Sequence, residues 1–300
     1  MTVQNIRPGS KRTKRQMGLT IFLGILCIFF LLPFIILLSV SFSSEKDILL
    51  HGYSVLPQHF STESYEYLFK NATGIIQAYK VTIITSFVTM IGAVLLDALI
   101  AYPLSLKRMT GKKWISLYLY FTMLFSGGLV PTYILIAKYL NLCDTYLVYI
   151  LPALISPWYI FMMRTSFAAI PDGLLEAAKI DGANEYTVFF RIVLPLSKPV
   201  LATVALFTFL TKWNDWNTSM LYINDENMIS LQYLLQRIME NITMLQNSER
   251  DLSGYMSVSD IPSETVRMAM AVVVAGPALL VFPFFQKYFV KGLTVGSVKG

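Results

Sequence analysis

The chain has 300 residues, of which 55% are hydrophobic and 14% are charged. Soluble domains carry roughly 25% charged residues, so this composition excludes an ordinary water-soluble fold. The net charge of +6 does not indicate a nucleic-acid partner, because the Lys and Arg residues form short clusters beside long apolar runs. Cys27 and Cys143 stand far apart without metal-ligand spacing, so we expect neither a metal site nor redox chemistry.

Six apolar stretches are long enough to cross a membrane. A helix satisfies its own backbone polar groups in lipid, and about 20 apolar residues cross a hydrocarbon layer of roughly 30 Å. The stretches cover residues 17–42, 75–105, 114–137, 146–168, 198–222 and 267–290. The first is too long for the apolar region of a secretion signal, so we interpret it as an uncleaved span. The sequence thus predicts an all-α membrane protein with six transmembrane helices.

Basic residues are distributed unevenly between the connecting segments. If the N-terminus is inside, the inner segments hold 16 Lys and Arg residues and the outer segments hold six. Because basic residues are enriched on the cytoplasmic side of membrane proteins, both termini are predicted to be cytoplasmic. The predicted organisation is a basic N-terminus at 1–16, a transmembrane domain at 17–290 and a cytoplasmic tail at 291–300.

The outer segment at 223–266, between the last two spans, is acidic. Apolar residues from 229 to 245 recur at spacings of three and four, which predicts an amphipathic helix. A solvated cap that packs on its own spans and a binding surface are both open interpretations of this segment.

The inner segment at 170–197, between the fourth and fifth spans, is predicted to fold as helix, tight turn and helix. Asp172 follows a proline and is a candidate N-cap of the first helix. Gly182 can adopt the left-handed conformation that ends a helix, and Asn184 can cap the second helix. Most connections in compact domains have only ~4–6 residues, so a structured loop of this length indicates a docking role. An amphipathic helix on the membrane surface is the alternative.

The residues at the centre of this segment suit contact with a partner protein. Glu176 offers a carboxylate to a partner Arg, and Ala177 and Ala178 let a partner surface approach closely. These residues are followed at set spacing by Gly182, and then by Ile192 and the Leu-Pro pair at 194–195. The pattern resembles the EAA loop of the membrane subunits of bacterial ABC importers, and we name residues 170–197 the EAA segment. The resemblance implies docking on an ATPase subunit through Glu176, Ala177, Ala178, Asp181 and Gly182.

Other motifs extend the resemblance over nearly the whole chain. The run Phe125–Tyr133, the segment Leu142–Thr145 and the aromatic Trp213–Trp216 look like the carbohydrate-uptake branch, especially permeases for complex oligosaccharides such as aldouronates. The last nine residues look like the end of the second permease of the maltose importer. That likeness implies that the tail reaches the interface between two ATPases, through Gly292, Gly296, Lys299 and Gly300. A frayed terminus is the alternative.

Ionisable, amide and aromatic residues within spans mark a candidate substrate path, because polar groups in lipid are costly and usually face a cavity or a partner. These candidates are Asp97, Tyr133, Trp213, Asn214, Trp216 and Asn217. Aromatic rings beside amides suit sugar binding, whereas Trp enrichment at the membrane interface and a Lys212–Asp215 pair are the alternatives. The third span can kink or unwind at Gly127–Gly128. By resemblance to the maltose importer, residues 241–262 are expected to insert into a binding protein.

The chain lacks a GxxxxGK[ST] phosphate-binding loop, so a separate motor is expected to supply ATP hydrolysis. The resemblance implies a permease that imports an oligosaccharide across the bacterial plasma membrane by alternating access. It also implies a second, similar permease, with a heterodimer favoured over a pair of identical chains, two ATPase subunits that bind ATP and Mg, and an extracytoplasmic solute-binding protein. This chain is expected to contact membrane lipid and to bind neither a cofactor nor nucleic acid. The alternatives are a permease for a non-sugar solute and a stand-alone secondary transporter.

An intramembrane enzyme is a further alternative of a different class. Such an enzyme needs paired acids, an activated Ser or a metal site within its spans. His51 and His59, the two histidines of the chain, both fall in the predicted outer loop at 43–74. The sequence therefore disfavours a catalytic role.

Overall fold

The computed structural model describes residues 14–70, 72–251 and 263–296, which are helical apart from their connections. The α-helices, numbered in chain order, are α1 (Lys14–Ser41), α2 (Glu45–His51), α3 (Glu63–Phe69), α4 (Ala72–Ser105), α5 (Lys112–Leu124), α6 (Leu129–Ile134), α7 (Tyr146–Ile150), α8 (Pro157–Ala168), α9 (Asp172–Ile180), α10 (Glu185–Val188), α11 (Leu194–Leu196), α12 (Lys198–Trp213), α13 (Asn217–Tyr222), α14 (Leu231–Asp251) and α15 (Ser263–Gly296). Two π-helical stretches, Leu135–Tyr139 and Phe189–Val193, and two 3-10 turns, Leu151–Ala153 and Glu226–Met228, lie between them.

Three helices of the described ranges are long and apolar enough to cross a membrane alone, at Met17–Ser41, Thr73–Ser105 and Ser263–Gln286. Three bent helix pairs supply one further span each if each pair crosses as a unit, which gives up to six. The pairs bend by 109° between α5 and α6, by 47° before α8 and by 79° before α12. The predicted all-α fold with six spans is confirmed in this form.

The bends occur where the sequence weakens a helix. Gly128 has a φ of +86°, a backbone conformation that residues with a Cβ rarely adopt. The chain is not helical at 125–128. The predicted break at Gly127–Gly128 is therefore confirmed. Pro157 occupies the first turn of α8, where its missing N–H costs no hydrogen bond.

One predicted span boundary is wrong. The fifth span was expected to reach residue 222, but α12 ends at Trp213 and α13 is a separate short helix. The side chain of Asp215 lies at this break and accepts a hydrogen bond from the Thr218 amide at the start of α13. The last helix continues to Gly296, so it extends beyond the predicted sixth span and residues 291–296 are helical.

The chain divides into two compact units. The larger contains residues 71–241 and 274–300, and its core forms around α4, which packs against α8 and α12. Small side chains of α4 at Ala98 and Ala101 let these helices approach closely. Larger side chains fill the remaining space, among them Ile160, Met163 and Phe167 from α8 and Val204 from α12.

The smaller unit contains residues 1–70 and 242–273. Side chains of α1 from Gly18 to Phe34 are exposed, as expected for a helix that is apolar on every side and surrounded by lipid. Glu45 at the start of α2 is 5% exposed and ties this unit together. Its carboxylate accepts hydrogen bonds from the amides of Glu264 and Thr265 and from the hydroxyls of Ser263 and Thr265. It thereby caps the start of α15.

The predicted amphipathic helix of the 223–266 segment is confirmed as α14. Leu231 and Leu235 are buried within the larger unit, and the Leu231 amide donates to the Thr82 hydroxyl at 2.9 Å. This first part of the segment therefore packs on its own spans, as the cap interpretation expected. Residues 252–262, half of the stretch expected to enter a binding protein, lie outside the described residues.

Glu45→Gln is expected to lower the free energy of unfolding by about 1–3 kcal/mol. The amide group of Gln keeps the size of the side chain, but its NH2 faces the donors of Thr265 and leaves them without an acceptor. Thermal unfolding of the purified protein in detergent measures the loss. The exposed Glu63→Gln is the matched control, and an equal melting temperature for both variants would contradict the capping role.

Candidate functional site

The EAA segment folds as a helix, a tight turn and a second helix, as predicted. The first helix, α9, ends at the turn formed by Gly182, whose φ is +83°. The side chain of Asn184 accepts a hydrogen bond from the Thr187 amide at 2.8 Å and caps α10. The predicted N-cap at Asp172 is wrong: Pro171 occupies that position, and the Asp172 carboxylate accepts a hydrogen bond from the Lys107 ammonium instead.

One face of α9 packs on the protein and the other is exposed. Leu175 and Ala178 contact the core between α4 and α8, whereas Glu176, Ala177 and Asp181 are exposed. Ile180 has 86% of its surface exposed, the largest exposed fraction of any large apolar side chain in the described residues. Only one of the two alanines predicted to contact a partner is therefore accessible. Ala177 is exposed, whereas Ala178 is half-buried against its own bundle.

One ion pair and one hydrogen bond fasten the EAA segment to the bundle. The carboxylate of Glu185 accepts hydrogen bonds from Tyr102 of α4, at 2.6 Å, and from Lys179 of α9. Lys107, which follows α4, pairs with Asp172 at the start of α9, and this hydrogen bond raises the pKa of Lys107 above its usual value. Both ends of α9 are therefore connected to the C-terminal end of α4.

The sequence did not single out these anchoring residues. Tyr102 and Glu185 are 83 positions apart, and no local spacing rule connects a tyrosine in a span to a glutamate in a loop. The sequence contained one local indication for Glu185. This residue directly follows Asn184, which caps α10, and an acidic side chain in the first turn stabilises a helix.

Asp97 does not lie on an open path, contrary to the prediction. Its side chain is fully buried, and one carboxylate oxygen accepts a hydrogen bond from the Ser156 amide at 3.0 Å. Ser156 is the N-cap of α8, where the fourth span is interrupted. Asp97 therefore satisfies a backbone donor that the interruption frees within the bundle.

Trp213 is also buried rather than available to a substrate. It is 2% exposed, its ring stacks on Phe209 with centroids 5.5 Å apart, and its indole N–H donates to the Val274 carbonyl at 3.1 Å. The neighbouring Lys212 and Asp215 form the ion pair that was considered as an alternative to a binding role. These three residues stabilise the end of α12.

Four predicted path residues keep an accessible surface. Tyr133 is 38% exposed and stacks on Tyr222, with centroids 5.6 Å apart. Trp216 is 39% exposed, and Asn214 and Asn217 on either side of it are exposed too. The Asn214 side chain accepts a hydrogen bond from Gln232 of α14 at 2.9 Å. Its amide nitrogen donates to the Leu210 carbonyl at 2.8 Å, so the accessible groups just beyond α12 are the Trp216 ring and the Asn217 side chain.

The residues predicted to form an ATPase-contacting tail are only partly described. Gly292 and Gly296 lie in the last turns of α15, whereas Lys299 and Gly300 are outside the described residues. Their contact with an ATPase stays a prediction.

The larger unit is a helical membrane domain that presents an exposed loop between two of its spans. Residues 16–295 match the family of binding-protein-dependent transport system inner membrane components. The chain belongs to this family and is a membrane-spanning permease subunit of an ABC transport system.

Several named relatives align with almost the whole chain. It is 40% identical over 286 residues to the polygalacturonan/rhamnogalacturonan transport system permease protein YtcP of Bacillus subtilis (strain 168), which covers 94% of this chain and 96% of the relative. It is 37% identical to protein LplC of the same organism, with 93% of each covered. The arabinooligosaccharides transport system permease protein AraQ of Halalkalibacterium halodurans is 28% identical, with 94% and 96% covered.

A solved structure shares the fold. The crystal structure of a bacterial ABC transporter involved in the import of the acidic polysaccharide alginate contains a chain that matches with a TM-score of 0.76 and 28% identity. The match covers 94% of this chain and 100% of that chain.

Trp213 at the end of α12 and Trp216 just beyond it are expected to respond differently to truncation. Trp213→Ala removes a buried ring and should cost about 3–5 kcal/mol of stability, which lowers the yield of folded protein. Trp216→Ala removes a half-exposed ring and should leave the yield unchanged while uptake of labelled oligosaccharide falls about fivefold, the value of one ring contact of about 1 kcal/mol. Size-exclusion profiles and uptake in cells measure the two effects. Normal uptake by Trp216→Ala would contradict a place for this ring on the substrate path.

Proposed function

We propose that this chain is one of two permeases of an importer that carries an oligosaccharide into the cell, driven by ATPases that dock on the EAA segment. Both termini and the EAA segment face the cytoplasm in this proposal, since the basic residues are concentrated on that side. The observation that carries the proposal is the exposed face of α9, on which Glu176 and Ala177 adjoin the 86% exposed Ile180.

This face has the chemistry of a docking surface. Ile180 provides an apolar side chain that a partner pocket can bury, and burying it fully contributes about 1.5–3 kcal/mol. Glu176 provides a carboxylate that an Arg of the partner can bind with two parallel hydrogen bonds. Ala177 adds no bulk between them, so a partner surface can approach the helix closely.

The anchoring of α9 supports a mechanical role. A partner that moves α9 also pulls on α4, because Tyr102 and Lys107 hold the two ends of the loop. Since α4 packs on α8 and α12, a displacement at the EAA segment is transmitted to three spans of the larger unit. This is the connection that alternating access requires between an ATPase outside the membrane and a path within it.

The partners follow from the class of the protein. A second permease completes the path, two ATPases supply ATP hydrolysis, and a binding protein delivers the solute. The chain itself has no catalytic role in this proposal. The relatives named for polygalacturonan, rhamnogalacturonan and arabinooligosaccharides support an oligosaccharide as the substrate. The exposed pair of Trp216 and Asn217 fits a sugar, because a ring stacks on its apolar face and an amide binds its hydroxyls.

Glu176→Lys is expected to abolish recovery of the ATPase subunits when the tagged permease is purified from membranes. The substitution replaces the acceptor for a partner cation with a second cation, which turns attraction into repulsion without disturbing a buried contact. Quantitative recovery of each subunit measures the effect, and we expect a loss of at least tenfold.

Glu63→Lys provides the matched control, because it makes the same charge change at an exposed position far from the EAA segment in the sequence. This variant should retain the ATPases at the normal ratio. Full recovery of the ATPases with Glu176→Lys would contradict the docking role, and equal losses with both variants would show an effect of charge alone.

A further inference from the structure

A basic cavity lies between the start of α5 and the helix α8 in the larger unit. It measures about 640 Å³, within the range of about 300–1,000 Å³ that is usual for small-molecule sites. Its lining residues are Met109, Gly111, Lys112, Lys113, Trp114, Ser116 and Arg164. Three of the seven are cationic and none is acidic.

The three cations have no carboxylate partner among the described residues. Arg164 donates to the hydroxyl of Ser116 at 3.0 Å, and its guanidinium lies 5.9 Å from the centre of the Phe161 ring. Lys112 donates to the carbonyls of Ser105 and Leu106, at 3.5 and 3.3 Å, where α4 ends. These contacts orient the cations but leave their charges uncompensated.

Three cations without a counter-ion around one open cavity favour an anion as its ligand. Arg164 belongs to a membrane-spanning helix, where an arginine is costly unless it meets a counter-ion or water. The other ion pairs at this end of the bundle, Lys107–Asp172 and Lys179–Glu185, show that the protein supplies acids where it needs them. At the cavity it supplies none.

The surroundings of the cavity favour a lipid over a free anion. Trp114 at its rim is 73% exposed, and tryptophan is enriched where the membrane meets water. The face of α5 that continues into the membrane is apolar and exposed, with Leu117 at 54%, Tyr118 at 67% and Phe121 at 55%. A phosphate in the cavity can therefore continue into acyl chains along α5.

We propose that this cavity binds the phosphate headgroup of an anionic phospholipid, with Arg164 and Lys113 as its main ligands and its acyl chains along α5. Arg164 provides a planar pair of donors that matches phosphate oxygens, and the exposed Lys113 provides a point charge. The site also adjoins the proposed coupling element, because α8 leads directly into the EAA segment at residue 170.

The test uses the full-length permease in its purified complex and phosphatidylglycerol as the probe, with binding measured by native mass spectrometry. Removing a cation near a membrane surface costs about 1 kcal/mol, so Arg164→Gln and Lys113→Gln should each weaken lipid retention about fivefold. Arg164→Lys keeps the charge and should retain more lipid than Arg164→Gln. Lys138→Gln, at the other end of the third span, is the control and should bind normally.

Several results would overturn the proposal. Unchanged phosphatidylglycerol binding by Lys113→Gln, which alters an exposed side chain and should fold normally, contradicts the site. So does equal retention of zwitterionic phosphatidylcholine, or an equal loss with Lys138→Gln. Displacement of the lipid by glycerol 1-phosphate at equal concentration would assign the cavity to a soluble phosphate instead.

Discussion

An interrupted membrane helix has to satisfy the backbone groups that each interruption frees, and this constraint shapes the protein. The larger unit breaks its third, fourth and fifth spans, and the freed amides have no water to bind in the hydrocarbon layer. Side chains supply acceptors at two of these breaks: the Asp97 carboxylate accepts from the Ser156 amide before α8, and the Ser126 hydroxyl accepts from the Gly128 amide before α6. Two further acids act at helix starts outside these breaks, because Asp215 accepts from the Thr218 amide of α13 and Glu45 accepts from the amides that begin α15. Each of these side chains satisfies a backbone donor that its helix leaves without a partner.

The same chemistry connects the EAA segment to the bundle. Glu185 receives hydrogen bonds from a tyrosine of α4 and a lysine of α9, so the loop has a fixed base, while its exposed face carries Glu176 and Ile180. A partner that binds the exposed face of α9 can move the spans only if the EAA segment is firmly attached to them. The hydrogen bonds of Glu185 provide this attachment. The long helix α4 extends it to the other spans, since it also contacts α8 and α12.

Most helices and several of their ends were predictable from the sequence, because they depend on composition and short spacings, although the start of α9 and the end of α12 were predicted wrongly. The six apolar stretches, the turn at Gly182, the cap at Asn184 and the break at Gly127–Gly128 all rest on such local rules. The roles of Asp97 and Trp213 were not predictable in this way. A polar or aromatic residue in a span signals an unusual environment, but whether it faces a substrate or a neighbouring helix depends on contacts 59 and 61 residues away. The anchoring pair of Tyr102 and Glu185 was missed for the same reason.

The central claim is that the exposed face of α9 meets an ATPase subunit, and cysteine cross-linking in the assembled complex tests it most directly. With Cys27 and Cys143 replaced by Ser, a cysteine is introduced by Ile180→Cys on the EAA segment or by Tyr139→Cys, which is 77% exposed at the other end of the third span. We predict that a short bifunctional maleimide joins the Ile180→Cys permease to the ATPase and leaves the Tyr139→Cys permease unjoined. An intact complex in which Ile180→Cys gives no ATPase adduct would contradict the account.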